Sequence, residues 1–279
     1  MAYTAEISRN NPSCFLFLID QSGSMADNFP GEVPKKKADG VADAINKLLQ
    51  NLVIRCAKEE GVRDYFYVGV IGYGATVGPS FSGSLAGKEL VAVSEIANSP
   101  ARIEERVKKV DDGAGGLVDQ KVKFPIWFEP TANGGTPMCQ ALGNAKSILQ
   151  KWMGQHPNSF PSVVIHITDG ESTDGDPSQA MNEVKSLSSS DGNVLLFNLH
   201  ISNNPNAQST AFPDSSASLP DQYARLLFEG ASLLTPTMRN VAGEHGFSLS
   251  DGAKCFVLNA DLVLVIQALD IGTRASNLR

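Results

Sequence analysis

Residues 14–24 read CFLFLIDQSGS: an apolar run from Cys14 to Ile19 that passes directly into Asp20-Gln21-Ser22-Gly23-Ser24. An unbroken run of this length lacks the alternation of a half-exposed strand and is too short for an ordinary helix. It reads as a central parallel strand covered on both faces. The polar, glycine-containing turn that ends it places acidic and hydroxyl side chains at the strand's carboxyl end. In open α/β sheets that is the end where ligands bind.

Further runs of the same kind follow. Tyr65–Tyr73 (YFYVGVIGY), Ser162–Thr168 (SVVIHIT), Asn193–Ile201 (NVLLFNLHI) and the shorter Lys254–Leu258 (KCFVL) are each bounded by turn-forming residues. Val122–Phe128 contains Pro125, which cannot donate to a ladder, so it is expected at a sheet edge. Between the runs the period becomes helical. Val41, Ile45, Leu48, Leu49, Leu52 and Cys56 share one face, as do Met138, Ala141, Leu142, Ala145, Ile148, Leu149 and Trp152. Leu262, Val265, Ile266 and Leu269 mark a terminal helix with Asn259 or Asp261 available as its cap. Strands alternating with amphipathic helices predict a doubly wound, mostly parallel α/β sheet covered on both sides. Residues 1–279 are expected to form one domain, with insertions at about 78–121 and 203–222. The first insertion holds a predicted helix near Ile103–Val110 and a glycine-rich run, Asp112–Gly116.

Bulk properties narrow the function. The chain has 279 residues and a net charge of −7, and an acidic surface repels phosphate backbones. Lys35, Lys36 and Lys37 form the best basic patch, and it reads as a solvated face. Cys14, Cys56, Cys139 and Cys255 are scattered without a CxxC pair, so neither a disulfide framework nor a zinc site is expected. The polar start of the chain and the lack of a long apolar stretch predict a cytoplasmic protein, with neither membrane nor nucleic acid as partner.

Three polar loops stand where the fold would gather them. Asp20-Gln21-Ser22-Gly23-Ser24 ends the first strand, Thr168-Asp169-Gly170-Glu171-Ser172 ends the third long run, and Asn133-Gly134-Gly135-Thr136-Pro137 precedes a helix. The hydroxyls of Ser22 and Ser24 can point at one ion from a tight turn. Asp20 and Asp169 supply charge, and Thr136 a third hydroxyl. Hard oxygen donors of this kind suit Mg²⁺, with Mn²⁺ or Ca²⁺ as alternatives. An ion held mainly by hydroxyls stays electron-poor and favours an external carboxylate.

FLIDQSGSM, GGTPM and ITDGES, in that order, resemble the three loops of the metal-ion-dependent adhesion site in von Willebrand factor type A domains. The resemblance implies direct metal contacts from Ser22, Ser24 and Thr136, with Asp20 and Asp169 acting mainly through water. It also implies a six-stranded sheet with one antiparallel edge, a role that falls to Val122–Phe128. Function is then expected to be non-enzymatic: a partner protein's Asp or Glu completes the metal shell. By family analogy, partners include components of kinase, phosphatase or AAA+ systems.

Other readings stand beside this one. Asp20 fits a turn cap, and Thr136 fits an N-cap with Pro137 at the first helical position. Asp169, Glu171, Asp174 and Asp176 suggest a second cation site. An EF-hand loop counted from Asp169 would need Gly where Asp174 stands, so solvated acids and a helix N-terminus are expected instead. His166, His200, Trp127 and Trp152 read as packing residues. Two rival functions remain: a phosphotransferase resembling haloacid dehalogenases, and an assembly scaffold working through its insertions. The first needs a second carboxylate where Ser22 stands.

Overall fold

The computed structural model describes residues 3–29, 35–111, 117–201 and 208–274. Asp112–Gly116 and the first residues of the second insertion lie outside them.

The CFLFLI run forms β1 (Ser13–Asp20), in which every residue is buried. It pairs in parallel with β2 (Phe66–Tyr73) on one side, in a register that sets Asp20 beside Tyr73. An antiparallel fringe on β2 comes from β3 (Val77–Pro79) and β4 (Val91–Ala92). Away from this sheet, β5 (Arg102–Asp111) and β6 (Leu117–Ile126) form a separate antiparallel hairpin. On its other side β1 pairs in parallel with β7 (Val163–Thr168), which pairs with β8 (Leu195–Ile201). The last strands are β9 (Thr210–Ala211) and β10 (Phe256–Ala260), β10 parallel to β8 and β9 antiparallel to β10. The order across the sheet is β9-β10-β8-β7-β1-β2-β3. The chain therefore reverses its direction of build at β1, between β2 and β7.

Helices α1 (Lys37–Cys56) and α7 (Leu262–Thr273) cover one face, while α3 (Met138–Gln155), α4 (Ser178–Ser186) and α5 (Gln222–Gly230) cover the other. Two further helices, α2 (Val93–Asn98) and α6 (Pro236–Glu244), pack at the flanks. The expected stripes on α1 and α3 are buried, and Asp261 caps α7 by accepting from the Leu264 N–H at 2.8 Å. On α7 the buried face runs through Leu264, Val265, Ala268 and Leu269, leaving Ile266 exposed. All four cysteines are free thiols. The doubly wound, mostly parallel sheet agrees with the sequence reading, but among the described residues it has eight strands rather than six, and three antiparallel edge strands rather than one.

Two local expectations are corrected. Val122–Phe128 does not border the main sheet, because residues up to Ile126 belong to the hairpin; the antiparallel edges are β3, β4 and β9. Ile103–Val110 is not a helix but part of β5. Ile103 and Val107 are four residues apart, a spacing that satisfies a helix face and one face of a strand equally. Here they lie on the open face, 58% and 62% exposed, while Arg106 on the other face covers the Phe124 ring and pairs with Asp43 of α1 at 2.7 Å.

Candidate metal centre

Because β1 and β7 are neighbours, their ends bring Asp20 and Asp169 together, although 149 positions separate them in the chain. Asp20 is buried in a collar of donors. Its Oδ1 accepts the Ser22 N–H at 2.8 Å, and its Oδ2 accepts the Thr168 hydroxyl at 2.8 Å. Burial pushes its pKa up to about 6; the Ser22 and Thr168 hydrogen bonds work against this, and the nearby Asp169 charge adds to it. The Ser22 and Ser24 hydroxyl oxygens stand 3.0 Å apart, and the Ser24 hydroxyl donates to Asp169 Oδ1 at 2.8 Å. A continuous polar chain thus runs from Asp20 through both serines to Asp169.

Thr136 arrives from the third loop, which is stitched to the other two by its backbone. Asn133 donates to the Gln21 carbonyl at 2.6 Å, Gly23 donates to the Gly134 carbonyl at 3.0 Å, and Ala75 donates to the Asn133 carbonyl at 2.8 Å. Gly134 has a φ of +87°, and a Cβ there would come within 2.4 Å of the Ala75 nitrogen. Only glycine allows this crossing. Thr136 and Thr173 then exchange hydrogen bonds, Thr136 N–H to the Thr173 hydroxyl and Thr173 N–H to the Thr136 carbonyl, each 2.9 Å. The Thr136 oxygen Oγ1 lies 3.9 Å from where a Cβ on Gly170 would stand, so it faces the Asp169 loop.

Thr136 does not cap α3, whose first helical residue is Met138. The cap is Asp174, reached across space: its carboxylate accepts from the N–H groups of Cys139 at 3.0 Å and Gln140 at 2.9 Å. Asp176 meanwhile accepts from the Ser178 N–H at 2.9 Å, at the start of α4. These acids serve helix ends, and among the described residues no group of three or more His, Cys, Asp and Glu side chains could hold a metal. At the ends of β1 and β7, hydrogen bonds link Asp20, Ser22, Ser24 and Asp169, while Thr136 faces the Asp169 loop from outside that chain.

The largest departure from expectation is Lys37. It belongs to no solvated basic face: it is 1% exposed, and its ammonium pairs with Asp169 Oδ2, with Asp27 Oδ2 at 4.0 Å. Removing one partner of such a buried pair costs about 3–5 kcal/mol. A signal was present in the sequence, since Lys37 lies four residues before Val41 and in phase with the buried stripe of α1. Two further residues had none. The Tyr223 hydroxyl, from α5, donates to the Gly170 carbonyl, and Thr168 holds Asp20 from the end of β7. Ser24, Gly134, Gly135 and Glu171 form an exposed rim around these groups.

Beneath the rim, His166 is fully buried and bridges two strands. Its Nδ1 is 2.9 Å from Asn198 Oδ1 and its Nε2 is 2.6 Å from the Tyr73 hydroxyl. Asn198 Nδ2 donates to the Leu227 carbonyl, which makes its Oδ1 the acceptor and places the imidazole proton on Nδ1. Burial holds the His166 pKa down at about 4, against the upward pull of the Asn198 hydrogen bond. Trp127 and Trp152 are buried packing residues.

No family model matches this chain, and no curated protein matches it. Among solved structures, it is similar to a von Willebrand factor type A protein from Catenulispora acidiphila, at 17% identity and a TM-score of 0.39, over 68% of this chain and 33% of that one. A second similar structure is the ArnB paralog from Sulfolobus acidocaldarius, at 14% identity and a TM-score of 0.35, over 71% and 36%. A third is the pilus adhesin from Streptococcus pneumoniae, at 17% identity and a TM-score of 0.30, over 61% and 22%. The chain therefore spans no more than 36% of the length of these structures. The similarity to von Willebrand factor type A domains is structural and modest. Among the described residues no helix is long and apolar enough to cross a membrane.

Proposed function

We propose that this chain is a non-enzymatic protein-interaction module in which Asp20, Ser22, Ser24, Thr136 and Asp169 hold a Mg²⁺ that a partner's Asp or Glu completes. The observation that carries this reading is the hydroxyl bridge between two buried carboxylates at the switch point of the sheet. Neighbouring oxygens on an octahedral Mg²⁺ with bonds of about 2.0–2.1 Å stand roughly 2.9 Å apart. The Ser22–Ser24 and Ser24–Asp169 separations, 3.0 and 2.8 Å, are of that size. The donors are all hard oxygens, so the residues present fit the ion.

Each residue has a separate task. Asp20 orients the first loop through the Ser22 N–H, Thr168 holds Asp20, and the Thr136–Thr173 exchange sets the third hydroxyl against the Asp169 loop. When bound, the metal supplies an electron-poor coordination position that attracts a carboxylate. The exposed rim lets an acidic side chain of another protein approach. One domain carrying both insertions is part of the proposal, supported by a hydrophobic core that runs from Ile7 to Ile271.

Calorimetric titration of the chelator-treated chain with MgCl₂ tests the site. The wild type binds, whereas Asp20→Asn and Thr136→Ala lose at least tenfold in affinity. Proteins retained on the immobilised chain in Mg²⁺ are released by EDTA, and Thr136→Ala retains none of them. Absence of Mg²⁺ binding, or equal retention under every condition, overturns the reading. A phosphatase assay separates it from the phosphotransferase alternative: no turnover depends on Asp20.

A further inference from the structure

Lys37 is an unusual choice at its position. It opens α1, at the positive end of the helix dipole, which disfavours a cation. It lies in phase with an apolar stripe, so a hydrophobic side chain would bury there without the desolvation that an ammonium suffers. What its charge meets is Asp169, whose side chain is fully buried. Both Asp169 oxygens are engaged, Oδ1 by the Ser24 hydroxyl and Oδ2 by the ammonium. A divalent ion drawing on that carboxylate must share it with a cation of the chain's own.

Resting on the metal reading above, we propose that Lys37 is a tethered cation that competes with the divalent metal for Asp169. It balances the paired carboxylates when no metal is bound, weakens metal affinity, and couples metal binding to movement of its side chain off Asp169. The route off is visible. Asp27 Oδ2 lies 4.0 Å from the same ammonium, and its side chain is 54% exposed, so the charge can shift toward solvent while keeping an acidic neighbour. A unit charge about 5 Å from a divalent ion weakens binding roughly tenfold even at the dielectric of water, and more in a buried site. Metal occupancy, and with it partner capture, would then respond to cation concentration over a range set by this lysine.

The test is calorimetric titration of MgCl₂ into chelator-treated wild type, Lys37→Gln and Lys37→Gln/Asp20→Asn. Lys37→Gln is expected to bind Mg²⁺ at least tenfold more tightly than wild type, and the double variant at least tenfold more weakly than Lys37→Gln. Equal affinity of wild type and Lys37→Gln overturns the competition and leaves the metal site standing. Weaker binding by Lys37→Gln also overturns it, because the lysine would then be supporting the site. Absence of binding by both removes the metal reading itself. Should Lys37→Gln not fold without metal, the wild type decides. In protein labelled with ¹⁵N-lysine, the Lys37 ammonium resonance should shift on Mg²⁺ saturation, whereas an unchanged resonance at saturation overturns the proposal.

Discussion

Acidification should unfold this protein partly through one buried residue that lies outside the set of candidate metal donors. His166 is held neutral between Tyr73 and Asn198 with its pKa near 4, while an unfolded histidine titrates near 6.5. Between those values the unfolded chain binds a proton that the folded chain refuses. Stability therefore falls as pH drops from about 6.5 toward 4. The full difference corresponds to roughly 3 kcal/mol, of which roughly 2 kcal/mol is already lost at pH 5. The geometry gives the cause. A second ring proton on Nε2 would face the Tyr73 hydroxyl, which would have to turn its own hydrogen toward the Ile167 carbonyl, 3.4 Å away. Asp20 acts with the opposite sign: with its folded pKa raised to about 6, the folded chain gains stability as pH falls through that value. A bare pH profile would mix the two. Urea denaturation of wild type and His166→Gln at pH 7 and pH 5 isolates the histidine. Glutamine keeps a donor and an acceptor but does not titrate. The wild type should lose about 2 kcal/mol more than the variant between the two pH values. Equal losses would refute a neutral, destabilising-on-protonation His166.

Three further perturbations probe the buried polar contacts and the loops. Asn46→Ala should cost at least about 3 kcal/mol in urea denaturation, because the buried N–H groups of Trp127 and Phe128 and the Phe128 carbonyl all lose their partner; Asn46→Asp should not restore it, since a carboxylate cannot donate to the carbonyl. Gly134→Ala should cost about 2 kcal/mol through its left-handed φ, with a further penalty from the Ala75 clash. Thermal melting reads the loss, and an unchanged melting temperature would mean that the loops do not cross as described. Asp174→Ala removes the acceptor for two N–H groups at the start of α3 and should cost about 1 kcal/mol by denaturation.

The sequence by itself determined the sheet's parallel core. A run as apolar as Cys14–Ile19 has no stable home except between two helical layers, and the stripes of α1 and α3 provide those layers. It also marked Asp20, Ser22, Ser24, Thr136 and Asp169 as candidates, because polar loops after buried strands must emerge at one end of the sheet. Period alone could not choose between helix and strand for Ile103–Val110, since a four-residue spacing satisfies both. The tertiary structure decided what pairing across space decides: that β1 and β7 are adjacent, so that Asp20 and Asp169 meet; that Asp174, not Thr136, caps α3; and that Lys37 turns inward. A lysine's place depends on whether a buried carboxylate waits at the end of its reach, and that acid lies 132 residues away in the chain.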